Sequence, residues 1–284
     1  MSLAVATAVT VARLTLATGV TLEYVERGPA DGVPVVFLHG VTDSWRSFEH
    51  LLPLMPASVR AIAVSLRGHG DSTRPDRGYA YGDFAADLAA LLEAKGIAQA
   101  VVVGHSMGGL VAQRFALDYP ARTRGLVLIG TFASLKGHAG IQAMWDEALA
   151  DLTDPVAPAF AREFQESTLA RPIPAGQLDT FVAESLKVPA RVWQAAFRGF
   201  LDNEVAAAGR QVTVPTLVLW ADKDAFVDRA ARDRLAASIP GATVLDYEGH
   251  GHAMHWEDPA RVAGDIARFV AGLPGDSANR GTLP

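Results

Sequence analysis

The strongest constraint on this chain is a recurring pair of signals: a short apolar run halted by glycine, then a segment with helical spacing. Val33–Leu38 stops at His39–Gly40, Arg60–Leu66 stops at Arg67–Gly68–His69–Gly70, and Ala100–Val103 stops at Gly104. Runs this short have strand length, and their lack of alternation marks strands covered on both faces. Asp83–Lys95 places apolar residues at helical spacing with Gly96 as its stop. Another helix runs from Met107 to Leu117 and ends near Asp118–Tyr119–Pro120, and Gly125–Ile129 reads as the next buried strand. Val9–Leu16 and Val20–Glu26 instead alternate, and join around Thr18–Gly19 as a hairpin. Strands that alternate with helices predict an α/β fold, a mostly parallel β-sheet flanked by helices.

The rhythm breaks near Ser134. Up to Gly209 no buried strand is legible, and helical patterns are punctuated by Pro155, Pro158, Pro172, Pro174 and Pro189. Asp154–Pro155 reads as a helix N-cap followed by proline in the first turn. Trp145, Phe160, Phe164, Phe181, Trp193, Phe197 and Phe200 are expected to hold these helices to one another. The alternation resumes with a strand at Pro215–Trp220, a helix near Arg229–Ser238, a strand at Ala242–Tyr247 and a helix from Pro259 to about Ala271, capped by Asp258. The expected organisation is a core of residues 1–133 and 210–284 with a helical cap, 134–209, inserted into it. The tail from Gly275 to Pro284 is expected to be loose.

Composition removes several functional classes. With 284 residues, half of them apolar and a fifth charged, the chain has ordinary globular proportions. The absence of cysteine excludes disulfides, thiolate metal sites and a cysteine nucleophile. A net charge of −6 argues against a nucleic-acid groove. No apolar run approaches the roughly 18 residues of a membrane span. Leu3–Ala12 lacks a preceding cationic region and is interrupted by Arg13, so it reads as strand rather than signal peptide. The expectation is a cytoplasmic protein, monomer or homodimer, with no nucleic-acid or membrane partner.

Gly104–His105–Ser106–Met107–Gly108 fits G-x-S-x-G. Its context gives the motif weight, because it lies between a buried strand and a helix. A turn that sharp strains the backbone at the serine and needs small neighbours to close. It would hold the Ser106 hydroxyl above the sheet at the positive end of the following helix. A serine becomes a useful nucleophile only when a histidine takes its proton and a carboxylate holds that histidine. Acids follow at Asp222, Asp224 and Asp228, and histidines at 250, 252 and 255. The spacing H-x-H-x-x-H of the histidines also admits zinc. Against that, Met254 stands where the related metallo-β-lactamase pattern needs aspartate.

With these segments in order, the chain resembles the α/β-hydrolase superfamily, specifically its small members with a helical cap. The resemblance covers about residues 8–272. It rests on Phe37–Leu38–His39–Gly40, Leu66–Arg67–Gly68–His69–Gly70–Asp71–Ser72, the serine turn, Leu219–Trp220–Ala221–Asp222–Lys223–Asp224, and Gly251–His252 followed by Trp256–Glu257–Asp258–Pro259. It implies Asp224, four residues past Trp220, as the acid and His252, five before Glu257, as the base. It implies an oxyanion hole formed by the backbone N–H groups of Met107 and Val41. His39, Arg67 and His69 are read as structural. Ala221, Ala225 and Ser65 depart from the pattern, which usually has glycine, proline and aspartate there.

Relatives that open haloalkanes or epoxides need an aspartate where Ser106 stands. The implied activity is therefore hydrolysis of a carboxylic ester or lactone through an acyl-enzyme, with no cofactor and no metal. Alternatives on the same triad are carbon–carbon bond hydrolysis and cofactor-free perhydrolysis of the haloperoxidase kind. An alternative of another class is a ligand-binding receptor with a vestigial triad. Phe132, Trp145 and Phe226 are the expected pocket walls around a small-molecule substrate.

Overall fold

The computed structural model describes residues 10–134, 136, 138–202, 205 and 211–274. The Leu3–Ala12 strand reading, the 209/210 boundary and the tail from Gly275 therefore lie wholly or mostly outside the described residues.

Alternating polar and apolar positions make β1 (Val11–Thr15) and β2 (Thr21–Arg27) a hairpin, paired antiparallel from Val11↔Val25 to Thr15↔Thr21. Next come β3 (Val33–Leu38), β4 (Val59–Ser65), α1 (Tyr81–Ala94), β5 (Ala100–His105), α2 (Met107–Asp118) and β6 (Thr123–Ile129). The chain closes with β7 (Thr216–Ala221), α7 (Arg229–Ser238), β8 (Thr243–Tyr247), a single turn α8 (Met254–Glu257) and α9 (Pro259–Gly272). The strands form one eight-stranded sheet in the order β1-β2-β4-β3-β5-β6-β7-β8. β2 alone runs opposite to the other seven strands.

The period of two along each strand sorts the core into two layers. Val36, Leu38, Val102, Leu126 and Leu128 face one side, where they pack with Leu88, Leu91, Leu110 and Phe115 of α1 and α2. Val35, Phe37, Val101, Val103 and Val127 face the other, against Val262, Ile266 and Val270 of α9. This double coverage explains why β5 and β7 are buried at every position and read as continuous apolar runs.

Between β6 and β7 the described residues contain helices and no strand. They are α3 (Ala139–Met144), a π-helical turn at Trp145–Leu149, α4 (Pro158–Glu166), α5 (Ala175–Leu186) and α6 (Ala190–Asp202). The expected cap at Asp154–Pro155 is a correction. That peptide bond is cis, α4 begins at Pro158 with Ala157 at its N-cap, and the Asp154 carboxylate accepts instead from the Ala190 N–H at 2.8 Å. Asp154 thus satisfies an amide at the start of α6, far along the chain. Asp258 caps α9 as expected, accepting from the Arg261 N–H at 3.0 Å. Among the described residues no helix is long and apolar enough to cross a membrane.

Candidate active site

Ser106 occupies the turn between β5 and α2 with φ 51° and ψ −116°, in the left-handed half of backbone space that non-glycine residues avoid. Three contacts fix this strained geometry. The Ser106 N–H donates to the Ile129 carbonyl at 2.9 Å, its carbonyl accepts from Thr131 Oγ1 at 2.7 Å, and its carbonyl also receives the Gly109 N–H at 2.9 Å. The turn closes only because its neighbours lack side chains. A Cβ on Gly104 would strike the Gly108 carbonyl, and one on Gly108 would strike the Leu38 carbonyl. Helix α2 therefore starts hard against the end of β3, and its first-turn N–H groups, Met107 among them, have no carbonyl of their own helix to bond.

Strand β7 delivers the acid and the loop after β8 delivers the histidine. The Asp224 side chain is fully buried, and its Oδ1 accepts from the Phe226 and Val227 N–H groups at 2.8 and 2.9 Å. Its two oxygens lie 3.0 and 2.9 Å from His252 Nδ1. A carboxylate can only accept, so Nδ1 carries the proton and Nε2 keeps its lone pair. His252 and Ser106 line one cavity with Gly40 and Val41. No direct hydrogen bond joins Ser106 Oγ to His252 in this state. Such contacts commonly tighten only around a substrate.

The rival residues are occupied elsewhere. Asp222 accepts from the Gly249 N–H at 2.6 Å, and Asp228 caps α7 through the Ala231 N–H at 2.7 Å. The three histidines do not converge. His250 donates Nδ1–H to the Glu248 carbonyl and receives Arg171 at 2.8 Å, while His255 Nε2 meets Ser47 Oγ at 3.0 Å. Among the described residues no three His, Cys, Asp or Glu side chains form a group that could hold a metal ion.

His39 shapes the loop after β3: it accepts from the Leu66 N–H at 2.9 Å and bonds the Gly40 carbonyl at 2.7 Å. Arg67 forms a two-pronged buried pair with Asp87, both contacts at 2.7 Å. Ser65 has a clear role. Its Oγ donates to Glu23 Oε2 at 2.7 Å, and Glu23 is its register partner on β2. The same Glu23 oxygen accepts the Asp71 N–H at 3.2 Å, and Ser65 Oγ accepts the Trp45 N–H at 3.2 Å. The carboxylate expected at the end of β4 is supplied from the neighbouring strand.

The cavity walls are mostly apolar: Phe132, Ile141, Phe164, Phe197, Phe200 and Phe226, with Gln165 and Thr168 from the insertion. Of the expected pocket walls, Phe132 and Phe226 line this cavity, with Phe226 also 4.9 Å from the His252 ring. Trp145 does not line the cavity. It opens the π-helical turn, and its ring lies under the Arg198 guanidinium at 5.4 Å. Phe164 both packs against Trp193 and Phe197 and faces the cavity, so the aromatics read as glue also form walls.

Two titratable cavity residues, Asp43 and His105, were given no role in the sequence reading. Burial pushes the Asp43 carboxyl up to about 7, against hydrogen bonds from Gln165 and Ser47. His105 lies 4.0 Å from it, and burial beside His255 and His252 holds its imidazole well below the usual range. The only signal for Asp43 was an acid three residues after the His-Gly that ends β3.

Comparison with known proteins shows the family. The family model described as alpha/beta hydrolase fold matches residues 33–259. A non-heme chloroperoxidase from Streptomyces lividans is 28% identical over 277 residues, which is 90% of this chain and 98% of that one. A 2-(acetamidomethylene)succinate hydrolase from Mesorhizobium japonicum is 28% identical over 265 residues, covering 88% and 92%. Among solved structures, the esterase RhEst1 from a Rhodococcus species superposes with a TM-score of 0.78 at 28% identity, covering 93% of this chain and 99% of that one.

Proposed function

The chain belongs to the α/β-hydrolase fold family, and on that premise we propose that it is a serine hydrolase of carboxylic esters, lactones included. The observation that carries this reading is the Asp224–His252 pair at 2.9 Å beside a strained Ser106 in one apolar cavity. His252 Nε2 takes the Ser106 hydroxyl proton as Oγ attacks the acyl carbon. The Met107 and Val41 N–H groups receive the oxyanion, and Asp224 steadies the imidazolium through Nδ1. His252 then hands its proton to the departing alcohol, and water activated by the same nitrogen releases the acid. A cavity walled by Phe132, Ile141, Phe197 and Phe200 favours a small apolar acyl or alcohol group.

The chloroperoxidase name of one full-length relative favours a second reading, in which hydrogen peroxide rather than water attacks the acyl-enzyme. Both readings need Ser106. In Ser106→Ala, kcat on p-nitrophenyl acetate is expected to fall by roughly 10⁴–10⁶, with the fold unchanged by circular dichroism. A variant that keeps more than about a tenth of the parent rate sinks the assignment. Adding peroxide with acetate and following peracid then separates the two readings.

A further inference from the structure

The loop that offers the Val41 N–H is tied to the insertion as well as to the sheet beneath it. Thr42, the next residue, sits at φ 67° although it is β-branched, a conformation that must be imposed from outside. Its Oγ1 meets Ser185 Oγ of α5 at 3.2 Å and Gln165 Nε2 of α4 at 3.4 Å. The Gln165 amide also donates to Asp43 Oδ1 at 3.0 Å and to Ser185 Oγ at 2.6 Å. Ser185 in turn donates to the Phe181 carbonyl at 3.1 Å, which leaves its oxygen free to accept. Gln165 is 1% exposed, so its amide has no water to fall back on.

We propose that Gln165 is a positioning residue: it ties Thr42 and Asp43 to the insertion and thereby holds the Val41 N–H where the oxyanion forms. This rests on the serine-hydrolase reading. It makes α4 and α5 part of the catalytic geometry rather than only a cover. Each of the two amide hydrogens has a partner, one on the loop and one on α5, so the side chain works as a clamp. An acyl oxyanion is stabilised only by donors already in place, and a displacement of about 1 Å can cost about a hundredfold in rate. Asp43 accepts this clamp, with Ser47 Oγ 3.4 Å from its other oxygen. The titratable groups around it are His105 at the end of β5, His252 beyond β8, and His255 of α8 through Ser47.

The test compares the parent with Gln165→Leu, Gln165→Glu and Ser185→Ala in ester hydrolysis and in hydrogen–deuterium exchange of the whole chain. In Gln165→Leu, kcat is expected to fall about ten- to hundredfold while KM stays within about threefold, because only the transition state carries the oxyanion. Amides of residues 41–44 should exchange faster, with β5 unchanged. Ser185→Ala should show a smaller effect of the same kind, and keeps the test open if the leucine variant does not fold. In Gln165→Glu the ratio of its kcat to the parent's should fall as pH rises. At low pH a proton shared with Asp43 restores a donor, and at high pH two carboxylates repel. Unchanged exchange in the loop, an unchanged kcat or a loss confined to KM overturns the proposal. If the parent hydrolyses no ester, the ester-hydrolase reading falls while the exchange data still decide whether Gln165 holds the loop.

Discussion

At the scale of single residues, the site turns on which acid and which histidine meet. Asp224→Asn keeps the shape but presents an amide to His252, which favours the wrong tautomer and leaves the imidazolium unsupported. We expect kcat to drop on the order of 10⁴. Asp222→Asn should cost far less, because that carboxylate serves the Gly249 N–H and not the imidazole. His252→Ala should abolish turnover, whereas His250→Ala and His255→Ala should retain a measurable fraction, since their rings engage Arg171 and Ser47. Measuring kcat/KM for these five variants on one ester checks the set, and an inactive Asp222→Asn would mean that the loop after β7 carries a different acid. The strained turn at Ser106 and the pairing of Asp224 with His252 were legible in the sequence because each residue stands near a strand end with a recognisable local motif. Asp43 and Gln165 were not. Their roles depend on a contact across 122 residues of chain, for which no local pattern exists.

At the scale of elements, the buried strands announced themselves by continuous apolar runs, and most predicted strand and helix ends fall within a few residues of those observed. What failed was the partner of a cap. Asp154 beside Pro155 looked local, yet its carboxylate serves Ala190, because helix starts take whichever acceptor the tertiary fold brings near. Ser65 is the same lesson in a sheet, where register with β2 brings Glu23 to it. The tight β5–α2 junction yields an element-scale prediction. Gly108→Ala places a methyl against the Leu38 carbonyl, backbone that cannot swing aside, and should destabilise by about 1–3 kcal/mol. Gly264→Ala, in the middle of α9, meets only the end of the Arg268 side chain and should stabilise by about 0.5–1 kcal/mol. Urea unfolding of both variants measures the contrast, and equal effects would refute the claim that close packing explains the glycine.

At the scale of the whole molecule, the described residues carry six buried histidines, and four of them, besides His250 and His252, gather where the strands end. His39 follows β3, His69 the turn after β4, His105 ends β5, and His255 lies in α8. Burial holds all four neutral, His69 down to about 4 and His255 down to about 3, with His39 and His105 well below the ordinary range. The His105 ring lies 4.8 Å from His252 and 4.4 Å from His255, so protonation would also crowd like charges together. A group whose folded pKa lies below its unfolded value stabilises fully above the unfolded value, near 6.5, and loses that contribution as pH falls toward the folded one. Asp43 has the opposite sign. Raised from 3.8 to about 7, it favours folding below its unfolded value and loses that contribution as pH rises through about 7. Near pH 5 the four histidines oppose the one carboxyl, so on balance unfolding takes up protons and stability falls as pH falls. The unfolding temperature should therefore fall steeply from pH 6.5 to pH 5, while a change from pH 8 to pH 7 moves it little. In His255→Asn the acid slope should lessen by about one proton's worth, whatever the variant's absolute stability. A thermal midpoint that stays level down to pH 5, or a slope that the substitution leaves untouched, would mean that these imidazoles take up protons in the folded protein, against the neutral cluster described beside Ser106.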